Sequence, residues 1–277
     1  MIKNILVALD GSNNSAAAAE YALWLAGIFK AGVKGIFVAD RVLLEGPFLY
    51  DLTSSMGLEP IVNFSDKMRE TLGQKGELIL SDFKARCMKA KVPADTILSS
   101  GVVAAEICTH ARLADLVVMG RKGDNEAFDT GMLGSVTEGV IRKSPVPVFI
   151  APGKFKPVKN PLLVYDGSDN AADAMRIAAE LAKVTKSMLS VASVGAAGDA
   201  DKHLVDAMDY LKSYDIKAVF KELKGEASLE IEKYYRESGH DMLFLGATHR
   251  SRVLEFVLGS TAEYVLRAVT GAILVVR

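Results

Sequence analysis

"LVALDGSNNSAAAAEYALWLA", residues 6–26, decides the fold, because the chain repeats it as "LLVYDGSDNAADAMRIAAELA" at residues 162–182. In each copy an apolar run ends at an aspartate, turns through glycine and serine, and enters a helical pattern. At one constant offset Asp10, Gly11, Ser12, Asn14, Ala16, Ala18, Ala22, Leu25 and Ala26 recur as Asp166, Gly167, Ser168, Asn170, Ala172, Ala174, Ala178, Leu181 and Ala182. A fixed offset held over a whole strand–turn–helix unit is the mark of an internal repeat.

The other ends of the two copies agree as well. "DLVVMG" at 115–120 answers "DMLFLG" at 241–246, and "GSVTEGVIR" from Gly134 answers "GSTAEYVLR" from Gly259. In the first copy strands are expected at "NILVALD", "VKGIFVAD", "ADTILSSG", "ADLVVMG" and "PVPVFIA"; in the second at "PLLVYD", "SMLSVASV", "IKAVFKEL", "DMLFLG" and "AILVV". Helical patterns fall between them, at 14–29, 104–112, 136–143, 171–184, 203–213, 228–237 and 261–268. Continuous Val/Ile/Leu runs alternating with helices imply parallel sheets covered on both faces. The fold class is therefore α/β, with two Rossmann-like domains at 1–152 and 158–277. Their boundary lies in "APGKFKPVKNP", where proline, glycine and lysine replace apolar periodicity. The last strands, "PVPVFIA" and "AILVV", would be apolar edges if left bare, so the copies are expected to pack as a pseudo-twofold pair. The first copy carries an insertion at about 41–70, read as short helix-like pieces that either pack over the sheet end or across the two copies, or form a ligand lid.

Bulk properties exclude several classes. Half of the 277 residues are hydrophobic and 24% are charged, with a net charge of −1. That balance gives no global attraction to nucleic acid or to anionic membrane. Cys87 and Cys108 form no CxxC pair, so reduced thiols are expected rather than a zinc site or disulfide scaffold. "MIKNILVALDGS" is too short in its apolar part for a signal peptide, and no apolar run is long enough to span a bilayer. A cytoplasmic protein is expected.

The candidate chemistry lies at strand ends. Ligands of open parallel sheets settle beyond the carboxyl ends of strands, where strand order reverses. Asp10 and Asp166 close the first strands; Gly120 and Gly246 close the fourth. Gly134-Ser135 and Gly259-Ser260 then open helices whose free N–H groups attract anions. Together these parts suit a nucleotide. Each also has a structural reading: Asp-Gly-Ser is an ordinary turn and cap, and Ser135-x-x-Glu138 and Ser260-x-x-Glu263 fit a capping box.

The strand–Asp opening, the "DLVVMG" strand and the pattern G-2x-G-9x-G-[ST] resemble the universal stress protein family in its tandem form, over nearly the whole chain. The resemblance implies five-stranded sheets of order 3-2-1-4-5, with ATP or AMP bound in some members. Carried onto this sequence, it places Asp10 and Val38 at adenosine and Gly120, Gly123, Gly134, Ser135 and Val136 at phosphate. In the second copy it places Asp166, Val191, Gly246, Gly259, Ser260 and Thr261, with His249 at the second glycine position. Ten residues, not nine, separate Gly123 from Gly134, and that loop carries Asp124, Glu126 and Asp129. Acidic groups beside a polyphosphate call for a divalent cation such as Mg. The second loop has the family spacing and the basic residues His249, Arg250 and Arg252, which favours the second copy as the occupied one.

No GxxxxGK[ST], GxSxG or HExxH occurs, so the usual phosphoryl-transfer and hydrolase parts are missing. His249 is read as a turn residue rather than a catalytic base, and Trp24 as core. The expected function is a non-catalytic, nucleotide-binding stress-response regulator. The alternatives are a ligand-independent interaction protein and, below it, a slow ATP hydrolase. An intramolecular pair of domains, with further homodimerisation allowed, completes the expectation.

Overall fold

A computed structural model describes residues 2–40, 62–123, 133–195, 198–247 and 258–277. The expected insertion lies mostly outside these residues. So do the loop acids Asp124, Glu126 and Asp129, and His249, Arg250 and Arg252.

The first half contains β1 (Asn4–Ala8), α1 (Asn13–Phe29), β2 (Gly32–Asp40), α2 (Val62–Ala90), β3 (Ala94–Gly101), α3 (Val103–Ala111), β4 (Leu116–Gly120), α4 (Ser135–Lys143) and β5 (Val148–Ala151). The second contains β6 (Pro161–Val164), α5 (Asp169–Thr185), β7 (Leu189–Val194), α6 (Asp199–Leu211), β8 (Ala218–Leu223), α7 (Ala227–Glu237), β9 (Met242–Gly246), α8 (Ser260–Ala268) and β10 (Ala272–Val276). All ten expected strands are present. The main departure is α2, 29 residues long. It starts inside the stretch read as short helix-like pieces and continues unbroken beyond it.

The strands form one sheet in the order β3-β2-β1-β4-β5-β10-β9-β6-β7-β8. Each half is parallel and has the expected order 3-2-1-4-5. The halves join through β5 and β10, which pair antiparallel with Ile150 opposite Ile273. Both joining strands, "VFIA" and "AILVV", are buried at every position. Pairing them removes the two apolar edges and creates the pseudo-twofold arrangement.

Helices cover both faces. Apolar residues of α1, α2, α5 and α6 share one cluster with Val7, Phe149, Val191 and Phe244. Those of α3, α4, α7 and α8 share the other with Leu6, Ile150, Ala192 and Leu245. Side chains alternate across each strand, so these two sets lie on opposite faces of the sheet.

Short polar devices fix the register. The Asp115 carboxylate accepts the Lys3 and Asn4 amides at 2.7 and 2.9 Å. Asp241 repeats this toward Lys159 and Asn160 at 2.8 and 3.0 Å. The linker is held from the other side too, since Lys156 N–H donates to the Tyr21 hydroxyl at 3.2 Å. Arg121 and Arg277 each reach a helix end in the other half. Arg121 donates to the carbonyls of Leu266 and Arg267 at the end of α8. Arg277 donates to those of Arg142 and Ser144 at the end of α4, at 2.7 and 3.3 Å. A cation at a helix carboxyl end satisfies carbonyls that have no partner within the helix.

Candidate functional site

Because β5 and β10 run antiparallel, the carboxyl ends of the strands in the two halves lie on opposite edges of the sheet. On the first edge, between the ends of β1, β2 and β4, is a cavity of about 600 Å³. That is within the range of small-molecule sites. It sits beside β1, flanked by β2 and β4, where strand order reverses.

Asp10, which lines the cavity, belongs to the Asp-Gly-Ser turn. The Asp10 carboxylate accepts the Ser12 N–H at 2.8 Å, and the Ser12 hydroxyl accepts the Ser15 N–H at 3.1 Å, capping α1. Gly11 has φ +88°, a left-handed conformation that favours glycine. One oxygen of Asp10 lies 2.9 Å from the place a Cβ on Gly123 would take. A side chain there would press on the carboxylate and make it shift, so glycine lets the loop approach Asp10 closely.

Asp10, Val38, Gly120, Gly123, Gly134, Ser135 and Val136 all line this cavity. Two of the glycines also have structural work. A Cβ on Gly120 would come within 2.8–3.1 Å of Asn14, including its backbone, so bareness there lets α1 pack on the end of β4. The Gly134 N–H is used by the Arg121 carbonyl at 3.0 Å, closing the loop at its base.

The capping-box reading is corrected. Gly134 and Gly259 are the N-cap residues, neither helix start has a side-chain cap, and Ser135 and Ser260 are already the first helical residues. Glycine has taken the cap position, and the serine hydroxyls are left for other partners. Intrahelical bonding of α4 begins with Glu138 N–H to the Gly134 carbonyl at 3.0 Å. The amides of Ser135, Val136 and Thr137 precede it and point out of the helix end. The buried Thr137 hydroxyl donates to the Gly120 carbonyl at 3.0 Å, fixing that end against β4.

One wall of the cavity is apolar, with Val38, Val103, Ile107, Met119 and Leu133. The same lining also carries Lys75, Lys122 and Arg267 together with Asp10, Asp40 and Glu138. Such a lining offers apolar surface to a flat ring and cations to an oxyanion. Lys75, on α2, and Arg267, from the other half, were not found in the sequence. Both come from distant elements that no local motif ties to the glycine loop.

In the second half Asp166 repeats the turn, accepting the Ser168 N–H at 3.0 Å and its hydroxyl at 2.6 Å. Gly246 is packed still more tightly than Gly120, with a virtual Cβ 2.5 Å from the Ala171 nitrogen. Gly259, Ser260 and Thr261 form the start of α8, while His249 lies outside the described residues. Val191 does not face this site. It is 0% exposed and belongs to the opposite face. The bonds from Leu9 N–H to Ile36 and from Tyr165 N–H to Ala192 align the two second strands, so Val194 is the counterpart of Val38. Where Ile79 and Lys75 cover Gly11, His203 covers Gly167 and meets Tyr165 edge-on at 6.3 Å.

Burial pushes the Cys87 thiol up to about 11 and also raises that of Cys108, so both stay protonated near neutrality. Trp24 is half-buried, packed against the core and edge-on to Tyr21 and Phe155. Among the described residues no group of three or more His, Cys, Asp or Glu is gathered for a metal ion, and no helix is long and apolar enough to cross a membrane.

This architecture defines a tandem, doubly wound α/β protein with a cavity at a strand-order switch. Its sequence matches the universal stress protein family over residues 1–152 and 157–277, and the chain belongs to that family. It is 26% identical to Universal stress protein Slr1230 of Synechocystis, with each chain covered in full. It is 32% identical to Universal stress protein YxiE of Bacillus subtilis, over 54% of this chain and 99% of that one. Among solved structures, a universal stress protein from Archaeoglobus fulgidus superposes with a TM-score of 0.79 at 24% identity, covering 99% of this chain and 98% of that one.

Proposed function

We propose that this universal stress protein is a non-catalytic, cytoplasmic stress-response regulator that binds an adenine nucleotide, ATP or AMP, in the cavity of its first half. The observation that carries this reading is the convergence of Asp10, Val38, Gly120, Gly123, Gly134, Ser135 and Val136 on one cavity of about 600 Å³. The base would lie on the apolar wall beside Val38, with Asp10 near the ribose. The phosphates would meet the amides at the start of α4, with Mg as companion of the triphosphate. Each half, 1–152 and 158–277, acts as one domain of the pair, and occupancy would change its choice of partner. The sequence favours the second half, but its loop lies outside the described residues, and the geometry on hand supports the first.

A ligand-independent interaction protein is the second reading. It is favoured by the structural work that Gly120 and Gly134 already do. Thermal unfolding with and without millimolar Mg-ATP or AMP separates the two. A ligand at about 100 times its Kd stabilises by about 2.7 kcal/mol when it binds only the native state. Absence of a shift with either nucleotide refutes the nucleotide reading, and so does an undiminished shift in Gly123→Val. ATP turnover that scales with protein and vanishes in Asp10→Ala would refute its non-catalytic part.

A further inference from the structure

The first-half cavity is not made by the first half alone. Arg267, in the last turn of α8, lines it. Its guanidinium lies 2.7 Å from Glu263, on its own helix, and 3.5 Å from Glu138, in the first turn of α4. We propose that Arg267 is a phosphate-binding residue of the first-half site, supplied across the sheet by the second half. The proposal rests on the nucleotide reading above and adds the residue that sets its preference for charged phosphate.

Three observations carry it. First, the start of α4 presents outward amides, but Glu138 stands in the same turn. A carboxylate there repels phosphate unless a cation lies beside it, and Arg267 is that cation. Second, the arginine is 43% exposed at its side chain, and its bonds to the two glutamates use the same terminal nitrogen. A guanidinium has five N–H donors in a planar fork suited to phosphate oxygens. Third, its helix end is fixed in place. Arg121, the residue after Gly120, grips the carbonyls of Leu266 and of Arg267 itself, so the end of β4 positions Arg267 over the cavity. The counterpart of Arg121 in the second half is Ala247; there the matching helix end is held instead by Arg277, which donates to the carbonyls of Arg142 and Ser144.

The test is titration calorimetry on the full chain with adenosine, AMP, ATP and inorganic tripolyphosphate. In Arg267→Gln, ATP and tripolyphosphate weaken about tenfold, the effect of losing one hydrogen bond to a charged group, while adenosine stays within about twofold. Arg267→Lys, which keeps the charge but not the fork, falls between. Glu138→Gln leaves Arg267 in place and removes the competing carboxylate, so ATP tightens. This second variant keeps the proposal testable if Arg267→Gln does not fold.

Equal weakening of adenosine and ATP, or no weakening of either, overturns the proposal, as does unchanged ATP affinity in Glu138→Gln. Failure of the nucleotide reading looks different. If the wild type binds tripolyphosphate through Arg267 but no adenosine or nucleotide, that reading falls and the phosphate role of Arg267 stands. If none of the four binds, both fall.

Discussion

Replacing Gly246 with alanine tests whether the glycine at the end of the fourth strand serves packing. A Cβ there would stand 2.5 Å from the Ala171 nitrogen, 2.8 Å from its Cα and 2.9 Å from the Asn170 carbonyl carbon. All three are backbone atoms in the first turn of α5, so no side chain can rotate away. The helix must move by several tenths of an ångström. That motion strains the Asn170 amide's bond to the Ala247 carbonyl, now 2.6 Å, and the Ser168 cap on the Ala171 N–H, 3.2 Å. Overpacking of this kind costs about 1–3 kcal/mol, and the backbone contacts place Gly246→Ala near about 3 kcal/mol. At about 2.1 cal/mol/K per residue, a chain of this length has an unfolding entropy of about 0.6 kcal/mol/K. The expected drop in Tm is then about 5 °C. Scanning calorimetry should show one transition, because the sheet is continuous through β5 and β10, and binding in the first-half cavity should be unchanged. A Tm within about 1 °C of the wild type would refute the packing argument. Two resolved transitions, only one of them shifted, would refute the single cooperative sheet.

Other perturbations follow from the same geometry. Gly27→Ala, at an exposed position inside α1 where a Cβ meets nothing within 4 Å, should stabilise by up to about 1 kcal/mol and raise the Tm by about 1–2 °C. Arg121→Met keeps the buried stem but removes the donors to the end of α8, and should cost about 2–3 kcal/mol, read as a lower urea midpoint with unchanged slope. His240 is buried, its Nδ1 lies 3.1 Å from the Asn160 carbonyl and its Nε2 has no partner; burial holds its pKa below the ordinary value. The unfolded chain therefore takes up the proton first as pH falls through about 6.5, so stability present above that pH is lost on the way down to the folded-state pKa. His240→Gln should flatten the fall in Tm between about pH 7 and 5; an unchanged slope would show that other groups cause it.

Much of the fold was readable because its strands are buried on both faces and written as unbroken apolar runs. "PVPVFIA" and "AILVV" even announced how the halves join, since two bare apolar edges have one economical solution. The long α2 escaped because its first turns follow a segment whose aromatics, methionines and proline mask helical periodicity. The site was legible wherever a residue is tied to its strand end by a short turn, as with Asp10 and Gly120. Register defeated the reading at Val191. A strand alternates faces, and only cross-strand bonds show that Val194 stands where Val38 does. Capping was misread because a glycine held the N-cap position that the serine one residue later would fill equally well by pattern. Lys75 and Arg267 approach from elements far away in sequence, and composition carries no trace of such convergence.

Joining β5 to β10 within a single polypeptide has an evolutionary effect. In a dimer of identical subunits, any substitution appears at both twofold-related positions and must be tolerated at both. Here each position mutates alone. Thr137 faces an alanine twin at 262, and Arg121 one at 247. One edge of the sheet can specialise while the other drifts toward a different task, and dilution cannot separate them.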